Sequence, residues 1–121
     1  MTTNIIQVTN FLKAFKGAVN DGASIQYISR AKNWEVLSVL EFTLNQRTET
    51  ILSLKPTDYI DGPIRDKKGR KGQCWVFGNS VNNTDIYIKI KLIPKRKKGP
   101  IPICISFHIA DYPLSYPLKG I

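Results

Sequence analysis

The stretches that decide the fold are DIYIKIKL, residues 85–92, and ICISFH, residues 103–108. In the first, Ile86, Ile88, Ile90 and Leu92 alternate with Tyr87, Lys89 and Lys91. Side chains of a strand point to opposite faces in turn, so the apolar set shares one face and the polar set the other. The same rule applied to residues 101–109 puts Ile103, Ile105, Phe107 and Ile109 on one face, and Cys104, Ser106 and His108 on the other. If the two strands pair over a common core, then Tyr87, Lys89, Lys91, Ser106 and His108, the only histidine, share a polar, cationic face.

Upstream, the spacing of Ile5, Ile6, Phe11, Leu12, Phe15, Ala18 and Val19 predicts a helix over residues 4–19, stopped by Asn20-Asp21-Gly22. Residues 24–28 suit a short strand. A second helix is predicted over residues 30–42, with Trp34, Leu37, Val39 and Leu40 inward and Asn33 and Glu35 nearer solvent. Thr43 and Gln46 form a capping-box pair for a third helix running to about residue 54, where Pro56 follows. Residues 57–64, with Gly62-Pro63, read as loop. Beyond Gly72 the aromatic and β-branched stretch 73–77 reads as a strand, and Asn82-Asn83 as a hairpin turn. Helices first and an antiparallel meander second make an α+β fold, N-terminal helices packed on a C-terminal antiparallel β-sheet, as one domain over residues 1–121.

Composition bounds the function. The chain has 121 residues, 42% of them hydrophobic, enough for one folded core. Apolar runs fall far short of the ~20 residues that span a bilayer, and the first residues lack the pattern of an export signal. The expectation is a cytoplasmic protein with no membrane association. Cys74 and Cys104 are expected as reduced, buried thiols. Two cysteines and one histidine do not supply a four-ligand zinc site, so no metal and no cofactor are expected.

The formal net charge is +9. Nine of the 18 basic residues lie in two short segments: Arg65, Lys67, Lys68, Arg70 and Lys71 in one, Lys95, Arg96, Lys97 and Lys98 in the other. Two such clusters on a small domain favour a polyanion, and nucleic acid before membrane, since neither lies on an amphipathic helix with a large apolar face. RNA carries its own nucleophile, the 2′-hydroxyl. Cleavage then needs a base, an acid, and cations at the phosphate. His108 suits proton transfer, because an unperturbed imidazole titrates at ~6.5. Tyr87 can donate a proton; Lys89 and Lys91 can neutralise phosphate. The candidate catalytic residues are therefore His108, Tyr87 and Lys89, and the candidate RNA-binding residues Lys67, Lys68, Arg70, Lys71, Lys91, Lys95, Arg96, Lys97, Lys98 and Ser106. Trp75 and Phe77 admit two readings, stacking on an unpaired base or filling the core.

Several segments, in order, resemble the MqsR family of toxins from bacterial type II toxin–antitoxin systems: ILSLKPTDY from Ile51, Asp61-Gly62-Pro63, CWVFG from Cys74, IYIKIKL from Ile86, CISFH from Cys104, and the YPLSYP tail. KNWEVLSVLEF, from Lys32, fits the helix such proteins carry before them. The resemblance covers about the last ninety residues. It implies a RelE-like fold, metal-independent cleavage of mRNA, free or ribosome-bound, and silencing by a cognate antitoxin protein. The family's Tyr-x-Lys strand falls on Tyr87 and Lys89, and the basic residue of its final strand on His108. Its further Lys and Gln fall on Asp61 and Val76, where this chain departs from the pattern. A non-catalytic RNA- or ribosome-binding module, or a basic face docking an acidic protein, are the competing expectations.

Overall fold

The computed structural model describes residues 3–69, 71–94 and 99–120. Helices α1 (Ile5–Asn20), α2 (Ala31–Val39) and α3 (Leu44–Leu52), with the short strand β1 (Gln26–Tyr27) between the first two, precede a one-turn 3₁₀ helix (Pro56–Asp58). Strands β2 (Tyr59–Arg65), β3 (Gln73–Val81), β4 (Thr84–Ile93) and β5 (Ile101–Ile109) follow. The sheet runs β1-β5-β4-β3-β2, antiparallel except where β1 pairs with β5. The expected α+β arrangement is the one observed.

Local chemistry explains the elements. At the start of α1 the Gln7 N–H donates to Asn4 Oδ1 at 3.0 Å and the Asn4 N–H donates to Gln7 Oε1 at 2.9 Å. The Thr43/Gln46 box opens α3 in the same reciprocal way, which satisfies amides that a helix start leaves without partners. Asn82 and Asn83 have φ of 50° and 63°, the left-handed pair that a tight hairpin between β3 and β4 requires.

Val8, Leu12 and Phe15 of α1 are buried against the sheet face formed by Phe77, Ile86, Ile88, Ile90 and Phe107, and Ala18 is buried as well. Truncating a residue such as Phe15, with 0% exposure, costs about 3–5 kcal/mol at sites of this kind. Trp75 and Phe77 belong to this core side: Phe11 stacks on Trp75 with ring centroids 4.8 Å apart and on Phe77 at 6.2 Å.

Three expectations are corrected. Residues 59–65 form a strand, not a loop. Two register shifts in its pairing with β3 hide the alternation, and Gly62, at φ +117°, lets the backbones approach: a Cβ there would lie 2.7 Å from the Cys74 carbonyl oxygen. Helix α2 is rotated from its expected setting. Trp34 and Val39 are exposed and Asn33 is buried, because Asn33 closes the free edge of β5. Its Nδ2 donates to the carbonyls of Ile28 and Ile105 at 3.0 Å each, and its Oδ1 accepts from the Phe107 N–H at 3.1 Å. Third, β5 changes phase. Lys89 pairs with Ser106 but Ile90 with Cys104, so Ile105 is the extra residue of a bulge. Cys104 consequently turns into the main core with Phe107, while Ile103 and Ile105 join Cys74 in a second apolar cluster. Both cysteines are buried, in different clusters, with no disulfide between them.

Candidate functional site

On the sheet face away from α1, Tyr87 and His108 are directly paired across β4 and β5. Their rings stack, with centroids 5.1 Å apart and planes 15° from parallel. Strand alternation fixes them there. Ile86 and Ile88 on either side of Tyr87, and Phe107 before His108, are buried in the core, which drives the intervening side chains outward. On β3 the residue opposite Tyr87 is Gly78. The C-terminal tail occupies the space a side chain would take, with Tyr116 Oη and Leu114 Cδ1 at 2.6 and 2.8 Å from the position of a Cβ. Tyr87 and His108 are both half-buried.

Burial pushes the Tyr87 phenol above its ordinary titration range, with Tyr112, Asp61 and Cys74 adding to it. The phenol therefore stays protonated at neutral pH and acts as a donor. His108 Nδ1 lies 3.0 Å from the Ile109 carbonyl oxygen. A carbonyl only accepts, so Nδ1 carries a proton, and in the neutral ring Nε2 holds the lone pair. His108 also borders a depression of about 280 Å³ lined by Lys32, Glu35, Val36 and Asp111. Across it Lys32 Nζ donates to Asp111 Oδ2 at 2.9 Å, and this hydrogen bond holds the exposed Asp111 carboxyl below the usual carboxylate range.

One step along the ladder, Lys89 faces Ser106 on β5 and Val76 on β3. Lys89 is half-buried and borders a second cavity, of about 300 Å³, together with Arg30, Lys67 and Lys68. Lys67, Lys68 and Lys71 are exposed on the β2–β3 turn. Arg70, Lys95, Arg96, Lys97 and Lys98 lie outside the described residues.

Two expected RNA contacts are corrected. Ser106, at 3% exposure, sits within the bulge and offers no hydroxyl to a ligand. Lys91 is 2% exposed and points beneath the β2–β3 turn. Its Nζ donates to Asp66 Oδ2 and to the Lys71 carbonyl, each at 2.9 Å. The alternation places Lys91 on the expected face, but Cys74 and Ile103, its ladder neighbours, belong to the second apolar cluster and the turn closes over them. Asp66 Oδ1 accepts from the Lys68 N–H at 2.9 Å, so the buried pair also shapes the basic turn.

Asp61 pairs with Val76, and Val76 with Lys89, so the two departures from the toxin pattern lie together beside the Tyr87–Lys89 strand. Val76 is 1% exposed and chemically inert; Asp61 is exposed and accepts from the Gly62 N–H. Arg30 escaped the sequence reading. Its one basic neighbour in sequence, Lys32, belongs to no cluster and no alternating pattern marks the segment; only the parallel pairing of β1 with β5 brings the start of α2 to this face. No helix among the described residues is long and apolar enough to cross a membrane. Compared with protein-family models, curated proteins and solved structures, the chain matches none.

Proposed function

We propose that the chain is a metal-independent endoribonuclease, an mRNA interferase toxin of the MqsR kind with a RelE-like fold, acting in the cytoplasm and silenced by an antitoxin protein. The stacked Tyr87–His108 pair beside Lys89 is the observation that carries this reading. His108 Nε2 takes the proton of a ribose 2′-hydroxyl. The resulting oxygen attacks the adjacent phosphorus, and the bond to the 5′ oxygen breaks. Tyr87 gives its proton to that leaving oxygen, and the proton on His108 returns to the phenolate through water. Lys89 offsets the charge gathering on the phosphoryl oxygens. The products are a 2′,3′-cyclic phosphate and a 5′-hydroxyl.

Purified wild type, His108→Ala and Tyr87→Phe should be compared on single-stranded RNA, with and without EDTA. General acid–base groups contribute about 10²–10⁴-fold, so each substitution should slow cleavage by that order. EDTA should change nothing. Intact RNA with the wild type, or 5′-phosphate ends, would reject the mechanism.

A second reading, a non-catalytic RNA- or ribosome-binding module, is favoured by Val76 and Asp61 standing where the toxin pattern has Gln and Lys. It expects Lys67→Ala/Lys68→Ala to weaken RNA binding and flatten its salt dependence, and His108→Ala to have no effect. Cleavage lost on His108→Ala would dismiss it.

A further inference from the structure

We infer that the basic cavity bounded by Arg30, Lys67, Lys68 and Lys89 is a phosphate subsite that holds a backbone phosphate of single-stranded RNA next to the nucleotide at Tyr87 and His108. The inference rests on the nuclease reading for what lies at that neighbouring pair, and on the cavity itself for the phosphate.

Four cationic side chains from three separate places converge on this cavity: the start of α2, the β2–β3 turn and the middle of β4. None of the four is in an ion pair among the described residues. The one acidic group among the described residues lining the cavity, Asp66, is already engaged by the Lys91 ammonium and the Lys68 amide, so it leaves the surplus positive charge in place. The floor, Cys74 and Ile105, is buried and apolar. At about 300 Å³ the cavity lies at the small end of ligand pockets, the size for one phosphoryl group and its sugar rather than a large cofactor.

The mount is rigid where recognition needs it. The Arg30 carbonyl accepts from the Asn33 and Trp34 amides, and Asn33 is tied to β5 by two bonds. The Arg30 side chain makes no capping bond of its own and is exposed. Its planar fork suits two phosphate oxygens at once, which a lysine ammonium cannot match. Lys89 connects the cavity to the stacked rings, two residues or about 7 Å along β4 from Tyr87. An aromatic platform with a cationic track beside it is the combination by which proteins hold single strands.

The test uses full-length protein carrying His108→Ala, so that RNA survives, and fluorescence anisotropy with a short single-stranded RNA over a range of salt. Adding Arg30→Ala or Lys68→Ala should weaken binding about 3–10-fold and reduce the salt slope by ~0.7 each, the value for one phosphate contact on a single strand. Arg30→Lys should recover part of the affinity. Lys13→Ala, on the exposed side of α1, should change neither quantity. Thermal melts check that each variant is folded, as expected for exposed side chains. Unchanged affinity and slope in both Arg30→Ala and Lys68→Ala would overturn the subsite. So would displacement of the RNA by polyglutamate at equal charge, which would reassign the cavity to an acidic protein. Cleavage by wild type is scored separately. Inert wild type with binding sensitive to Arg30→Ala or Lys68→Ala ends the nuclease reading and keeps the subsite; active wild type with binding insensitive to both does the reverse.

Discussion

Replacing Lys91 with methionine tests whether this lysine is structural. The substitution keeps most of the stem's volume and removes the ammonium. In the native fold that ammonium lies 2.9 Å from Asp66 Oδ2, with the two side chains 2% and 3% exposed. Removing one partner of a buried ion pair costs about 3–5 kcal/mol, because the charge that stays buried loses the ammonium that compensated it. The lower end applies here, since the Lys68 amide still serves the carboxylate. At ~2.1 cal/mol/K of unfolding entropy per residue, 121 residues give ~0.25 kcal/mol/K, so 3 kcal/mol lowers the melting temperature by about 12 °C. Urea unfolding followed by circular dichroism gives the free energy directly. Combining Lys91→Met with Asp66→Asn, which retains an acceptor for the Lys68 amide, should restore about half of the loss, the signature of coupled residues. A single variant within ~0.5 kcal/mol of wild type would refute the assignment, because that is the range of unremarkable surface changes. A double variant no better than the single one would refute the charge argument.

Gly78→Ala should destabilise by about 1–3 kcal/mol through overpacking, because its Cβ would meet Tyr116 Oη at 2.6 Å and Leu114 Cδ1 at 2.8 Å; an unchanged denaturation midpoint would show that the tail yields freely. Asn33→Ala leaves a buried amide and a buried carbonyl of β5 without their partner and should cost about 3 kcal/mol, measured the same way. Burial raises the phenol pKa of Tyr27 and of Tyr87 above the model-peptide value of ~10. A raised folded-state pKa contributes stability that is complete below pH ~10 and disappears as pH rises through the folded value, because the unfolded chain ionises first. The melting temperature should therefore fall in the strongly alkaline range, in step with phenolate absorbance; a flat profile there would contradict it.

How much of this could be read beforehand depended on whether local pattern and global packing agreed. β4 was legible because its isoleucines meet a helix layer on one side only. The Asn82-Asn83 turn and the Thr43/Gln46 cap were legible because their chemistry is complete within four residues. The pairing of Tyr87 with His108 followed from the same alternation. Beyond His108 toward the N-terminus of β5 the alternation misled, since one extra residue reverses every side chain before it and no residue type announces a bulge. Lys91 misled for a related reason: the pattern assigned its face correctly, but the turn that roofs it is distant in sequence. Trp34 and Asn33 changed places because an unfilled strand edge nearby needed an amide more than the core needed an indole. Arg30, with only Lys32 basic beside it, stood outside both basic clusters; its position at the face is a product of topology.

The asparagine closure of β5 has a consequence beyond stability. A sheet margin with unmatched amides and carbonyls is a template on which further chains can grow. Here one margin is covered by a two-residue parallel strand and then a side-chain amide, and the other is broken by bulges and a proline in β2. The sheet therefore terminates itself on both flanks, and a concentrated solution of this strongly basic chain has little reason to assemble into ladders.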